Sequence, residues 1–296
     1  ELSGQERYSL EFDGVFMNST VYLNGHALGT RPYGYSSFHY DLTPYLQAGE
    51  NLVAVRCDNA EQPNSRWYAG CGIYRNVRLV RTTDTHVAYN GSFVTTATAG
   101  EKSTVRVQTE IEGPQQENVK VIYEILDHKG HRLASSEASY ADGRANGELE
   151  LKGARPWSLE DPYLYTLRTE LYSGDTLKDR YDTRFGIRSI SWDKDKGFFL
   201  NGKNVKMLGV CMHHDMGCIG TAVHRRALER QLEKLKSMGV NAIRTSHNPP
   251  ATELLDLCDE MGFLVMDEAM DMWRKRKTRY DYARFFDEWH RADIQD

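Results

Sequence analysis

No CxxC pair occurs in this sequence, and its five cysteines (57, 71, 211, 218 and 258) are too few and too scattered for a disulfide framework. Their odd number reads as free, mostly buried thiols. No apolar run approaches the length of a membrane-spanning helix. Charge of one sign is also missing: 37 Lys and Arg are interspersed with 42 Asp and Glu, for a net charge of −5. Such a balance gives no broad field for nucleic acid or an anionic membrane. With 24 Gly and 8 Pro in 296 residues, a collagen-like or low-complexity chain is excluded as well. No initiator Met, signal-peptide apolar region or transit peptide precedes the first strand-like run, so the chain reads as an excised piece.

What is there suits several packed cores: 40% of residues are hydrophobic, and the 17 Tyr and 5 Trp hint at stacking surfaces, although core packing accounts for most of them. The length fits two domains or three small ones. Up to about residue 82 the pattern is all-β, with strand-like runs at Tyr8–Phe12, Val15–Met17, Val21–Leu23, Asn51–Arg56 and Val77–Val80. Asn24-Gly25 supplies a tight hairpin turn. Short strands at this spacing suggest a sandwich, interrupted by a long polar and aromatic loop, Asp58–Tyr74. Residues 83–188 are again β-rich, with strands at Thr104–Ile111, Val119–Leu126, Gly147–Leu151 and Tyr163–Tyr172. They fit an immunoglobulin-like sandwich without an inter-sheet disulfide.

After about Ser189 the period changes. A small hairpin turns at Asn201-Gly202, with Phe198–Leu200 and Val205–Leu208 as its arms. Leu228, Leu232, Leu235 and Met238 then recur at helical spacing, with Gly239 as the stop. Val240–Arg244 is a short apolar strand. Pro249 and Pro250 open a second helix with Leu254, Leu255, Cys258 and Met261 on one face, and Phe263–Met266 is another strand. Alternating strands and helices with short loops predict a parallel α/β arrangement. An eight-fold barrel needs roughly 250 residues; residues 189–296 can hold only a small open sheet or the first part of a barrel.

Each of these last strands ends in polar residues: His213-His214-Asp215, then Arg244-Thr245-Ser246-His247-Asn248, then Asp267-Glu268. The carboxyl ends of parallel strands form the ligand crevice, so one rim collecting three such groups suggests a site. The blander account pairs Arg244 with Asp267 and leaves the histidines to bridge loops. Cys211, His213, His214, Asp215 and Cys218 invite a metal reading. Adjacent strand residues point to opposite faces, however, so structural histidines are expected instead. Asn248, just before Pro249, reads best as a helix N-cap. The basic run Arg274–Lys277 with Arg279 reads as a solvated loop entering a helix.

The run Leu208–Trp273, with GVCMHHD, AIRTSHNPP and LCDEMGFLVMDEA, resembles the start of the catalytic barrel of glycoside hydrolase family 2. Upstream, VYLNG (Val21–Gly25), GENLVAVRCDN (Gly49–Asn59) and SRWYAGCGIYRNV (Ser65–Val77) resemble the family's N-terminal jelly-roll domain. DPYLYTL (Asp161–Leu167) agrees too, and RFGIRSI (Arg184–Ile190) resembles its passage from the immunoglobulin-like domain to the barrel. The resemblance implies a multidomain chain: a jelly-roll β-sandwich over 1–82, an immunoglobulin-like β-sandwich over 83–188, and the first part of a (β/α)8 TIM barrel over 189–296.

It also implies a retaining β-glycosidase, with β-galactosidase as the leading activity, a carbohydrate substrate and no organic cofactor; some members bind metal ions near the site. Retention needs two carboxyl groups roughly 5–5.5 Å apart. The family's acid/base Glu follows an Asn on the fourth barrel strand and its nucleophile lies on the seventh, so both are expected beyond Asp296 and the chain alone is expected to be silent. By the same resemblance His247 would meet sugar hydroxyls and Arg244 would support the catalytic carboxylates. Asp267 and Glu268 would lie near the sugar floor, with Asn248 a further candidate. Many members carry a substrate-touching Asp in the loop that leans over the barrel mouth; here that stretch reads Ser65-Arg66-Trp67-Tyr68. Trp67 could stack on a sugar ring, although packing is its expected job. A Glu268–Asp215 catalytic pair is conceivable, but the family pattern gives neither residue that role. The competing class is a non-catalytic carbohydrate-binding or interaction sandwich. Exposed strand edges in an incomplete barrel also predict self-association as a homo-oligomer.

Overall fold

The computed structural model describes residues 6–113 and 119–295. They form two compact units. One holds the chain up to Arg81 together with 208–258 and 263 onward, and the other holds 82–207 with 259–262.

In the first unit, two three-stranded antiparallel sheets enclose a small core. One has the order Phe38–Asp41, Glu6–Phe12, Val77–Thr83; the other has His26–Arg31, Ser19–Leu23, Val53–Arg56. Alternation drives burial: Val21 and Leu23 are fully inside with Phe12, and Phe12 stacks on Phe38 at 5.0 Å. Asn24 and Gly25 both take positive φ, 51° and 86°, which is the twist a two-residue hairpin requires. A third short pair, Val15–Phe16 with Gly72–Ile73, ties the start of the chain to the end of the long loop.

The α/β part of the same unit is a parallel sheet of Gly209–Met212, Ala242–Thr245 and Leu264–Met266, in chain order. Helices α1 (Arg225–Ser237) and α2 (Thr252–Met261) make the crossovers, and α3 (Phe286–Gln295) follows. Leu228 and Leu232 bury one stripe of α1, whereas Met238 lies past its end and is exposed. In α2 the buried stripe is Leu254, Leu257 and Cys258. That helix starts two residues after the proline pair, so Asn248 is too far upstream to cap it, and the capping expectation is corrected. Cysteine burial is corrected too. None of the five cysteines is in a disulfide, but Cys71, Cys211 and Cys218 are exposed and only Cys258 is buried; Cys211 faces the polar Arg244 side chain, whose Nη1 lies 3.4 Å from its Sγ, and not an apolar core.

In the second unit, seven antiparallel strands run in the order Thr176–Phe185, Tyr165–Ser173, Val119–Leu126, Arg132–Ala141, Arg144–Lys152, Lys102–Glu112, His86–Thr98. The inward positions of Lys102–Glu112, Val119–Leu126 and Tyr165–Ser173 alternate along most of each strand and supply Val105, Val107, Val121, Ile125, Leu167 and Leu171 to one core. Each such aliphatic side chain contributes about 1.5–3 kcal/mol. Tyr123 is the polar exception. Its ring is fully buried, and its hydroxyl lies 2.9 Å from Thr109 Oγ1 and 3.2 Å from the Ala145 carbonyl. The hairpin at Asn201-Gly202 forms, with Gly197–Leu200 paired to Lys203–Asn204, so its return arm comes earlier than the apolar run suggested.

Gly147 faces the Tyr123 ring so closely that a Cβ would sit 2.4 Å from its Cδ2. Gly147→Ala is therefore expected to lower the stability of this unit by about 1–3 kcal/mol, the usual cost of overpacking. The check is calorimetry that resolves its unfolding transition.

Candidate functional site

The three parallel strands deliver their carboxyl ends to one rim, and α1 and α2 fix their spacing from behind. Ser246 and His247 follow the middle strand directly, joined by a cis peptide bond. Arg244 Nε donates to Glu268 Oε1 at 2.5 Å, and its Nη2 reaches the same oxygen. His247 Nδ1 lies 2.9 Å from Glu268 Oε2 and 3.3 Å from Arg244 Nη2. The three side chains form a closed triangle. Glu268 is held from its own backbone as well, since its N–H donates to Thr245 Oγ1 at 2.9 Å. The Thr245 hydroxyl in turn donates a hydrogen bond to Asp267 Oδ1 at 3.0 Å. Arg244 thus pairs with Glu268, and the alternative pairing with Asp267 is not formed.

A cavity of about 450 Å³ opens on this triangle, lined by Arg244, His247, Glu268, Met270, Asp271 and Trp273, with Arg66 and Lys277 at its wall. Asp267 is exposed and lies outside that lining, and Asn248 is buried outside it. Asn248 Oδ1 is 2.6 Å from the Tyr33 hydroxyl, while its Nδ2 is buried without a hydrogen-bond partner. Trp67 sits beside the cavity. Its Nε1 donates to the Tyr35 hydroxyl at 3.1 Å, and its ring centroid is 5.4 Å from that of His213 and 5.5 Å from that of His247. Its neighbour Tyr68 is 61% exposed, so the two aromatics of this loop divide between packing and solvent.

Two groups were not legible as site residues. Asp271 lies beyond the end of the third strand, with its side chain only 3% exposed. Its two oxygens accept from Arg66 Nη2 at 2.8 and 3.0 Å, and Lys277 Nζ is 2.7 Å from Oδ1. Burial pushes its carboxyl up, but Lys277 and Arg66 outweigh burial and hold it below the usual value. The only sequence signal was an acid three residues past Glu268. Arg75 is the other. It is buried and donates from Nη1 to the carbonyls of Tyr35 (2.9 Å), Asp13 (3.2 Å) and Pro250 (3.2 Å), and from Nη2 to that of Pro249 (2.8 Å). The segment that carries His247 is thereby pinned to the sandwich.

His213 and His214 face opposite ways. His213 is exposed on the Trp67 side; His214 lies against Tyr35, with Nδ1 3.4 Å from Arg75 Nη2. Asp215 Oδ1 closes a local turn by accepting from Gly217 N at 2.7 Å. Among the described residues no group of three His, Cys, Asp or Glu side chains is arranged to hold a metal ion.

Three sequence models of one family match consecutively: the sugar binding domain over 1–83, the domain described simply as glycosyl hydrolases family 2 over 85–188, and the TIM barrel domain over 193–283. The chain belongs to glycosyl hydrolases family 2. It is 54% identical over 299 aligned residues to the β-galactosidase BoGH2A of Bacteroides ovatus, an alignment covering 98% of this chain and 35% of that protein. It is 31% identical to a β-glucuronidase of Bacteroides fragilis, covering 89% of this chain and 40% of the relative. A family 2 crystal structure from Bacteroides cellulosilyticus superposes with a TM-score of 0.95 at 38% identity, covering 99% of this chain and 39% of that one. The chain thus spans 35% and 40% of the length of these two curated relatives.

Two predictions follow from the geometry. Arg75→Met should destabilise the first unit by about 3 kcal/mol or more, because buried carbonyls lose charged donors; denaturant titration of its transition is the measure. Burial, and then the neighbouring Arg75 and His213, lower the His214 pKa to about 3 from an ordinary 6.5. The unfolded chain binds the proton more readily. This contribution to stability is therefore full above about pH 6.5 and is lost as pH falls toward 3. Wild type should take up close to one more proton on unfolding near pH 5 than His214→Gln, as read from the pH dependence of the unfolding midpoint.

Proposed function

We propose that the protein carrying this sequence is a retaining β-glycosidase acting on terminal β-glycosides, with β-galactosides as the leading substrates. The observation that carries the reading is the Arg244–His247–Glu268 triangle, converging at the carboxyl ends of consecutive parallel strands on the wall of an open cavity. The 54% identity to a β-galactosidase supports the choice of sugar. In this reading His247 offers Nε2 to a sugar hydroxyl while Nδ1 is anchored on Glu268. Arg244 holds Glu268 in one orientation as part of the floor. Trp67, tilted against His247, presents an apolar wall for sugar C–H groups.

Retaining hydrolysis needs a second carboxyl group roughly 5–5.5 Å from the first across the glycosidic bond. Each carboxylate at the cavity is already committed to cations: Glu268 to Arg244 and Asp271 to Arg66 and Lys277. The acid/base and nucleophile are therefore assigned to residues other than those present here. The exposed Met266 on the parallel sheet and Leu208 just before its first strand also favour self-association of this chain.

An aryl β-glycoside panel tests the reading. A polypeptide of the relatives' length carrying this sequence should release nitrophenol, fastest from the β-galactoside, and the purified 296-residue chain should release none. In the longer polypeptide His247→Ala should lower kcat/KM by about 10²-fold, the size of two lost hydrogen bonds in the transition state. No turnover of any aryl glycoside by the longer polypeptide would overturn the proposal.

A further inference from the structure

The charges around the cavity do not cancel. Arg66, Arg244 and Lys277 face two carboxylates, Glu268 and Asp271, which leaves one positive charge over on its wall. Glu268 is fully engaged by Arg244 and His247, so the surplus belongs to the Arg66–Asp271–Lys277 group. Asp271 is sequestered, whereas the side chains of Arg66 and Lys277 are 47% and 41% exposed. Arg66 meets Asp271 through Nη2 alone, and Lys277 through one of three ammonium protons, so both cations keep donors for a further acceptor. Lys277 also ends the basic run Arg274–Lys277, whose residues are exposed, with Arg279 just beyond. The sequence alone gave that run no task beyond solvation.

We propose that Arg66 and Lys277, set by Asp271, form an oxyanion subsite that selects glycans bearing a carboxylate or a sulfate ester. The subsite deepens the glycosidase reading and rests on it for the carbohydrate. A guanidinium fork and an ammonium on one wall suit the two or three coplanar or tetrahedral oxygens of such groups. The buried carboxylate behind them fixes both side chains before the ligand arrives, so little rotamer freedom is lost on binding. Lys275, Arg276 and Arg279, close to Lys277 in sequence, are exposed too and add positive charge to this stretch of the chain.

The test measures binding to the purified 296-residue chain, with Trp67 and Trp273 beside the cavity as fluorescent reporters. The probes are methyl β-galactoside, methyl β-galacturonide and the 6-sulfated methyl β-galactoside. At about 20 mM salt at least one charged probe should bind about tenfold tighter than the neutral one, with the gap closing at high salt. The galacturonide and sulfate arms tell which oxyanion is read. The Arg66→Gln/Lys277→Met double variant should lose the gap, and Arg66→Lys/Lys277→Arg, which keeps the charge, should retain part of it. Equal binding of all three probes, binding of none, or a gap that survives the Gln/Met variant would overturn the subsite. Lack of charge preference together with turnover of aryl galactosides by the longer polypeptide sinks only this inference. Charge-selective binding without any turnover sinks only the glycosidase reading.

Discussion

A single buried guanidinium holds the candidate site together. Arg75 donates to four carbonyls from three segments: Asp13, Tyr35, and the consecutive Pro249 and Pro250. The proline pair has no N–H to offer and lies in irregular backbone between the middle strand and α2, so no ladder can satisfy its carbonyls. A cation with several donors in fixed directions can serve all of them at once, and a lysine could not do so in the same geometry. His247 stands two residues before that anchor, so the position of its ring inherits the rigidity of Arg75. Local packing is shaped around the same side chain: a Cβ at Gly14 would sit 2.9 Å from Arg75 Cδ.

Two of the carboxylates past the third strand, Glu268 and Asp271, do parallel jobs. Glu268 gathers a cation and an imidazole from the middle strand's end, and Asp271 gathers one cation from the sandwich loop and one from the loop before α3. In each case an acid on one element orients donors that arrive from others. Neither acid is free for proton transfer while it does so.

The sequence made much of this legible where periodicity was strong. Lys102–Glu112, Val119–Leu126 and Tyr165–Ser173 alternate cleanly because one face of each meets the core. Three strands of the same unit gave no such signal. Thr176–Phe185 is an edge strand whose residues stay largely in solvent apart from its last, so hydrophobic alternation has no reason to appear. Arg132–Ala141 uses alanines and serines where larger apolar residues would announce an inward face. His86–Thr98 contains Asn90-Gly91, which reads as a turn yet lies inside the strand, where the register against its neighbour shifts. At the site, the strand-end residues stood out because the chemistry of a parallel rim is local in sequence. Arg75 and Asp271 did not, since their meaning comes from partners on separate elements. Asn248 shows the reverse case: a favourable capping residue whose side chain the fold uses instead to meet Tyr33.

The His213-His214 dipeptide makes the same point about context with one residue type. Adjacent residues leave the backbone on opposite sides, so one imidazole reaches the Trp67 side and the other the Tyr35 and Arg75 side. A guanidinium can only donate, so Nδ1 of His214 must keep its lone pair toward Arg75, and the ring proton sits on Nε2. That nitrogen is buried without a hydrogen-bond partner, and a second proton on the ring would place like charges 3.4 Å apart between the two side chains. Neutrality of His214 is thus a condition for Arg75 to occupy its place. Acid strong enough to protonate this ring therefore acts on the anchor of the His247 segment.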